Sequence, residues 1–237
     1  MARTQKVTPP MKRIVYACDI GSTKPKTNSF GWVRSDLTSN FAPVGSNIID
    51  DLLYQIKIDL NDGASIALGF EAPQFMPVPK DSSELSCGRD GEGNRSMFAP
   101  AGGYVTTLSC HQTAFILSTI SKFKSSHDLT LDAALWTDCE KPMILLWEAF
   151  VSGKQAHSSK GGHIPDAGTA AKFFHEKQKV LSGNSSVETG HDCFSFIGAV
   201  ALWSGWINRI SIIKEKCIVL RPKKKYSVKI PRYQRPR

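Results

Sequence analysis

Between Arg13 and Ile20 the chain reads RIVYACDI, a short apolar block that Gly21 and a polar loop containing Lys24, Pro25 and Lys26 end abruptly. A block of that length, bounded by turn residues, predicts a buried central strand. SFGWVRSDL, around Phe30 to Leu37, follows after the loop and predicts a second strand in a meander. The period then changes. Ile48, Ile49, Leu52, Leu53 and Ile56 recur at helical spacing and stop near Asn61-Asp62-Gly63, which predicts a first helix. SIALGFE, residues 65–71, predicts another buried strand, closed by Ala72-Pro73 because proline cannot continue a ladder.

Residues 76–103 are rich in Pro, Gly, Ser and charge and show no usable period, so they read as a long loop, a candidate flap over a substrate groove. Helical spacing returns from Tyr104 to Phe123. PMILLWEAFV, residues 142–151, predicts a further buried strand; helices near 166–179 and 191–210 and a short last strand, CIVL, follow. This order predicts an α/β fold, a mixed sheet of five or six strands flanked by helices. The early hairpin argues against an all-parallel sheet, and there is no internal repeat.

With 41% hydrophobic and 22% charged residues in 237, the composition fits one domain, expected over residues 13–221 after a polar, flexible segment 1–12. The formal charge of +9 resides at one end. From Lys214 to Arg237 ten basic residues are opposed by Glu215 alone, so the body is formally neutral and 222–237 reads as a basic tail suited to a polyanion. The six cysteines are scattered, with no Cys-x-x-Cys pair, as in a reduced, cytoplasmic protein. No apolar run approaches the roughly 20 residues of a membrane span, so no membrane partner is expected. Oligomeric state is left open, a dimer included.

The candidate chemistry is acidic. Asp19 and Glu71 end two buried strands; if these are parallel neighbours, both carboxylates emerge at the sheet edge where open α/β sheets hold ligands. Two such acids side by side call for a cation, and Mg²⁺ or Mn²⁺ suits hard oxygen donors. Glu148, inside ILLWEAF, and Asp192, read as opening the last long helix, are the further candidate catalytic acids; Asp192 is also a candidate metal ligand. Asp192 equally fits a helix cap, and Asp166, in HIPDAGTAAKFF, reads as an ordinary helix-start acid whose helix could border the same groove. Lys24, Lys26, Arg89, Arg95, Lys223, Lys224 and Lys225 are the candidate nucleic-acid contacts.

CDIG at 18–21, SFGWV at 29–33, GFEAP at 69–73 and HDCFSFIGAVALW at 191–203 together resemble the ribonuclease H-like superfamily, and more narrowly a bacterial branch of predicted nucleases related to RuvC-like Holliday-junction resolvases. The resemblance spans roughly residues 13–221 and rests on the order of the motifs. It implies a ribonuclease H-like fold, nucleic acid as partner and two-metal phosphodiester hydrolysis, with Asp19, Glu71 and a last-helix acid, mapped to Asp192, holding the ions. Such enzymes often carry two aspartates three residues apart on that helix, and the second position here is Ser195, a poor ligand. Either Glu148 substitutes, or one metal is held, or the protein binds nucleic acid without cutting it.

DIGST is also found in sugar-kinase and actin-like ATPases, but a second glycine-rich phosphate motif is missing here. A P-loop frame, a nucleophile elbow and zinc spacings are likewise absent from the sequence.

Overall fold

The computed structural model describes residues 11–93, 96–123, 127–152, 156 and 163–236. A mixed seven-stranded sheet forms its centre. β1 (Arg13–Asp19), β2 (Gly31–Asp36), β3 (Val44–Ser46), β4 (Ser65–Glu71), β6 (Asp128–Thr130) and β7 (Met143–Ala149) stand in the order β3-β2-β1-β4-β7-β6, and β9 (Val219–Leu220) also pairs with β7. β2 is antiparallel to β1 and β3, whereas β1, β4, β7, β6 and β9 run parallel. A separate two-stranded ribbon joins β5 (Phe75–Val78) to β8 (Asp192–Ser195).

The expected α/β class with helices on both faces is observed, with more strands than the five or six expected. β3 and β6 are three residues each, too short for alternation to register.

Because β1, β4 and β7 are covered on both faces, they read as continuous apolar runs. On one face Ile14, Tyr16 and Cys18, Ile66, Leu68 and Phe70, and Ile144 and Leu146 pack under α1 (Ile49–Asn61), α2 (Pro100–Ile120) and α5 (Phe196–Trp203). On the other, Val15, Ala17, Ala67, Leu145 and Trp147 pack under α3 (Ala133–Asp138) and α4 (His163–Lys177). Gly69 is needed on this second face: a Cβ there would lie 2.1 Å from the Trp147 ring, which fills the space and stacks on Phe174 at 4.8 Å.

Three expectations change. The segment expected as a flap is tied down, through a bridge between Asp90 and Glu188 and through Arg89, which is buried. The helix expected from 191 to 210 is α5 alone, preceded by β8 and followed by a 3-10 segment at Ile210–Lys214. Pairing with β5 draws residues 192–195 into the ribbon, and the Ser195 side chain accepts the Gly198 N–H at 3.1 Å, starting α5 only after it.

The basic tail is not a free terminus. Gly45 and Arg232 bridge β3, Tyr233 packs on Trp32 at 5.4 Å between ring centres, Ile230 packs into the α4 face, and Arg235 reaches Asp51 at 3.1 Å. The segment thereby covers the outer edge of β3, which would otherwise present unpaired backbone groups. Among the described residues no helix is long and apolar enough to cross a membrane.

Candidate active site

β1 and β4 are parallel neighbours in a register that pairs Asp19 with Glu71, so both carboxylates leave the same sheet edge on the same face. That face is covered by α4. Opposite Asp19 on β2 stands Gly31, and a Cβ at Gly31 would lie 2.6 Å from the backbone of His163 and Ile164. A glycine here is what lets the first turn of α4 settle onto the strand ends, and that turn delivers His163 and, three residues on along the same flank, Asp166.

His163 Nδ1 and Asp19 Oδ2 share a hydrogen bond of 2.6 Å. Burial pushes the Asp19 carboxyl up to about 6; the hydrogen bond and charge of His163 oppose that rise, and Asp166 adds to it. Glu71 is pushed well above the usual carboxylate range by burial, then by Asp19 and Asp166. His163 is raised above its ordinary value, chiefly by its bond to Asp19. Burial and like charge thus both disfavour ionisation of Asp19 and Glu71, and His163 offsets part of this at Asp19. Glu71 Oε2 is buried with no hydrogen-bond partner among the described residues.

Asp19 and Glu71 are therefore brought together as expected, and the third acid beside them is Asp166. Asp192 is not at this site. It is exposed in β8, paired across from Val78, and the charge it perturbs is Cys193, in company with Lys216 and Glu215. Its candidacy as a catalytic acid and metal ligand is withdrawn on that placement.

Glu148 is also removed from the catalytic set, because its register partner is Phe70 and its side chain enters the opposite face from Glu71. There it is fully engaged. Arg89 Nη1 and Nη2 donate to its two carboxylate oxygens at 2.7 and 2.8 Å, and the Gln74 N–H donates at 2.8 Å. Burial pushes the Glu148 carboxyl up and Arg89 holds it down. Arg89, whose Nε also meets Glu92 at 2.8 Å, lies over the Phe75 ring and is corrected from a nucleic-acid contact to a buried cross-tie.

Lys24 and Lys26 are exposed on the loop that follows Asp19, and Lys223, Lys224 and Lys225 are exposed where the tail leaves β9. Arg95 lies outside the described residues.

One hollow borders Glu71, and a second lies along α2. An apolar cavity of about 400 Å³ opens beside Glu71 between Ala72, Val105 and Phe150, with Arg89 and Glu148 at its wall. A wider groove of about 850 Å³ separates the loop at Ser22–Ser29 from α2.

No family model, curated protein or solved structure matches this chain. Three carboxylates offer hard oxygen donors suited to Mg²⁺ or Mn²⁺, and the orphaned Glu71 oxygen needs a proton or a cation. Among the described residues no three acidic, His or Cys side chains stand grouped so as to hold a metal ion. His163 engages Oδ2 of Asp19, which leaves Oδ1 to face an arriving ion.

Proposed function

We propose that this protein is a divalent-metal-dependent nuclease of ribonuclease H-like architecture that hydrolyses phosphodiester bonds of nucleic acid. The observation that carries this reading is the Asp19–Glu71 register pair with Asp166 acting on both. A mixed sheet opening on an antiparallel hairpin, with one acid ending its first strand and another ending the parallel neighbour, is what the resemblance to that superfamily implies. The acid on a late helix is reassigned from Asp192 to Asp166. The pair three residues apart on that helix is then His163 and Asp166, which removes the difficulty posed by Ser195.

Asp19, Glu71 and Asp166 would hold the ion, which when bound supplies a Lewis acid for a phosphoryl oxygen and lowers the pKa of water. The residues' own work is positional and protonic. His163 fixes the Asp19 rotamer through Oδ2, and its side chain, 40% exposed, stays open to a substrate proton. Lys24 and Lys26, exposed five and seven residues past Asp19, would neutralise backbone phosphates.

The test is incubation with single-stranded, double-stranded, hybrid and branched nucleic acids in Mg²⁺ or Mn²⁺, comparing wild type with Asp19→Asn and Asp166→Asn. Metal-dependent cleavage lost in both variants is expected. Binding without cleavage in any metal would replace the nuclease reading with that of a non-cutting nucleic-acid-binding protein.

A further inference from the structure

α2 is apolar on both flanks. Its inner flank, with Ile116, Leu117 and Ile120, is buried in the core. The outer flank carries Tyr104, Leu108, His111 and Phe115 at spacings of four, three and four residues, one continuous helical stripe. Tyr104 is 68% and Phe115 48% exposed, an unusual cost for two large aromatic rings on one helix face. The stripe forms one wall of the 850 Å³ groove, and Lys24 lies on the opposite wall. Among the described residues lining that groove none is acidic. Lys26 projects from the same loop, in the turn Pro25–Thr27.

The loop that leaves the Asp19 strand end forms one side of the groove. Ser22, three residues past Asp19, lines it, and Gln112 of α2 donates a hydrogen bond to the Gly21 carbonyl, locking the helix to that loop. From Tyr104 to Phe115 the helix rises about 16 Å, room for several bases at a stacked spacing of about 3.4 Å.

We propose that the α2 stripe and the Lys24–Lys26 loop form a channel for single-stranded nucleic acid, in which unpaired bases stack on Tyr104 and Phe115 while the lysines neutralise the backbone on its way to Asp19 and Glu71. The reasoning is chemical. Aromatic faces recognise bases only when those bases are not paired, and a channel combining them with cations is a design for a single strand. A self-complementary contact between two copies would set Lys24 and His111 against a face that offers no acid. This inference rests on the nuclease reading for the location of the cut but not for the binding itself.

The experiment measures binding of fluorescent oligo(dT), and of a duplex of the same length, to the full chain carrying Asp19→Asn, by anisotropy in Mg²⁺ over a range of salt. Adding Tyr104→Ala with Phe115→Ala is expected to weaken oligo(dT) binding by about tenfold or more and leave duplex binding unchanged. Adding Lys24→Gln with Lys26→Gln should instead lower the slope of log K against log salt by about 1.4, for two phosphates of a single strand. All four side chains are on the surface, and circular dichroism checks that the variants keep the fold.

Oligo(dT) affinity unchanged in the aromatic variant, or duplex preferred over oligo(dT), would overturn the channel. So would sedimentation showing a wild-type dimer that the aromatic substitutions dissociate, since the stripe would then be an interface between copies. Stripe-dependent binding with no cleavage by the wild type would overturn the nuclease reading and leave the channel standing. Cleavage that ignores the stripe would do the reverse.

Discussion

Asp19→Asn is expected to make the protein more stable while abolishing the proposed cleavage. In the folded chain burial, helped by Asp166 and opposed by His163, raises the Asp19 carboxyl from 3.8 to about 6. A shift of about two units, at about 1.4 kcal/mol each, puts the cost of ionising this group in the fold at about 3 kcal/mol. Asn keeps the shape and an acceptor for His163 but carries no charge, so the variant should gain about 1–3 kcal/mol at neutral pH. For a chain of this length that corresponds to a rise in Tm of roughly 2–10 °C. The sign fixes the pH window. The folded state holds the Asp19 proton to higher pH than the unfolded chain does, so the wild type loses stability relative to the variant as pH rises from about 4 to about 6, and the two converge below about 4. Thermal melts across that range, in chelator, measure the difference. Saturating Mg²⁺ should then restore the wild type, by about 2.7 kcal/mol at a hundredfold excess over Kd, and do less for the variant. A variant that is less stable at neutral pH, or one whose difference from wild type does not change with pH, would refute the account of a carboxyl whose ionisation burial opposes.

Gly31→Ala should push the start of α4 off β2, costing about 1–3 kcal/mol in a urea melt and lowering cleavage by about a hundredfold, although no acid is changed. If activity survives, His163 and Asp166 do not depend on that close approach. Arg89→Ala leaves Glu148 and Glu92 as uncompensated buried acids and should cost about 3–5 kcal/mol, read by denaturant unfolding. A cost below about 1 kcal/mol would mean that the acids take protons without loss. Deleting the chain after Leu220 should lower Tm and promote aggregation by uncovering β3 and Trp32, so the tail's part in binding is better measured with Lys223, Lys224 and Lys225 all changed to Gln. If these lysines meet phosphates, that variant should lower the salt slope by about 2–3.

The long central strands were legible because burial on both faces leaves no polar position to confuse them, and the acids ending β1 and β4 stood out against those runs. Less legible was anything set by pairing between distant segments. Residues 192–195 look helical beside FIGAVALW, and only the ribbon with β5 makes them a strand. The tail reads as a basic segment for a polyanion because its cations outnumber the few residues, Ile230, Tyr233 and Tyr226, that hold it to the body. At the site itself the missed residue was His163. Its signal was present in HIPD, a histidine and an aspartate three apart at a helix start, but nothing local tells which strand end that turn will face. Gly31, far away in the chain, decides it.

The case of Glu148 shows why strand parity has to be settled before chemistry is assigned. An acid inside ILLWEAF is costly to bury, and that cost makes it look functional. In the register of β4 and β7, however, Phe70 is its neighbour, and Glu71 is one residue further and on the other face. A carboxylate on Glu148 could not join Asp19 and Glu71 without turning β7 over, which would pull Trp147 out of the space it fills over Gly69. What the buried charge supports is Arg89, and through Arg89 the anchoring of the long segment between β5 and α2. That segment leads directly into Pro100 and the helix bearing Tyr104 and Phe115. The Arg89–Glu148 pair thus contributes to the site from a distance, by holding the helix that walls the groove rather than by meeting a metal.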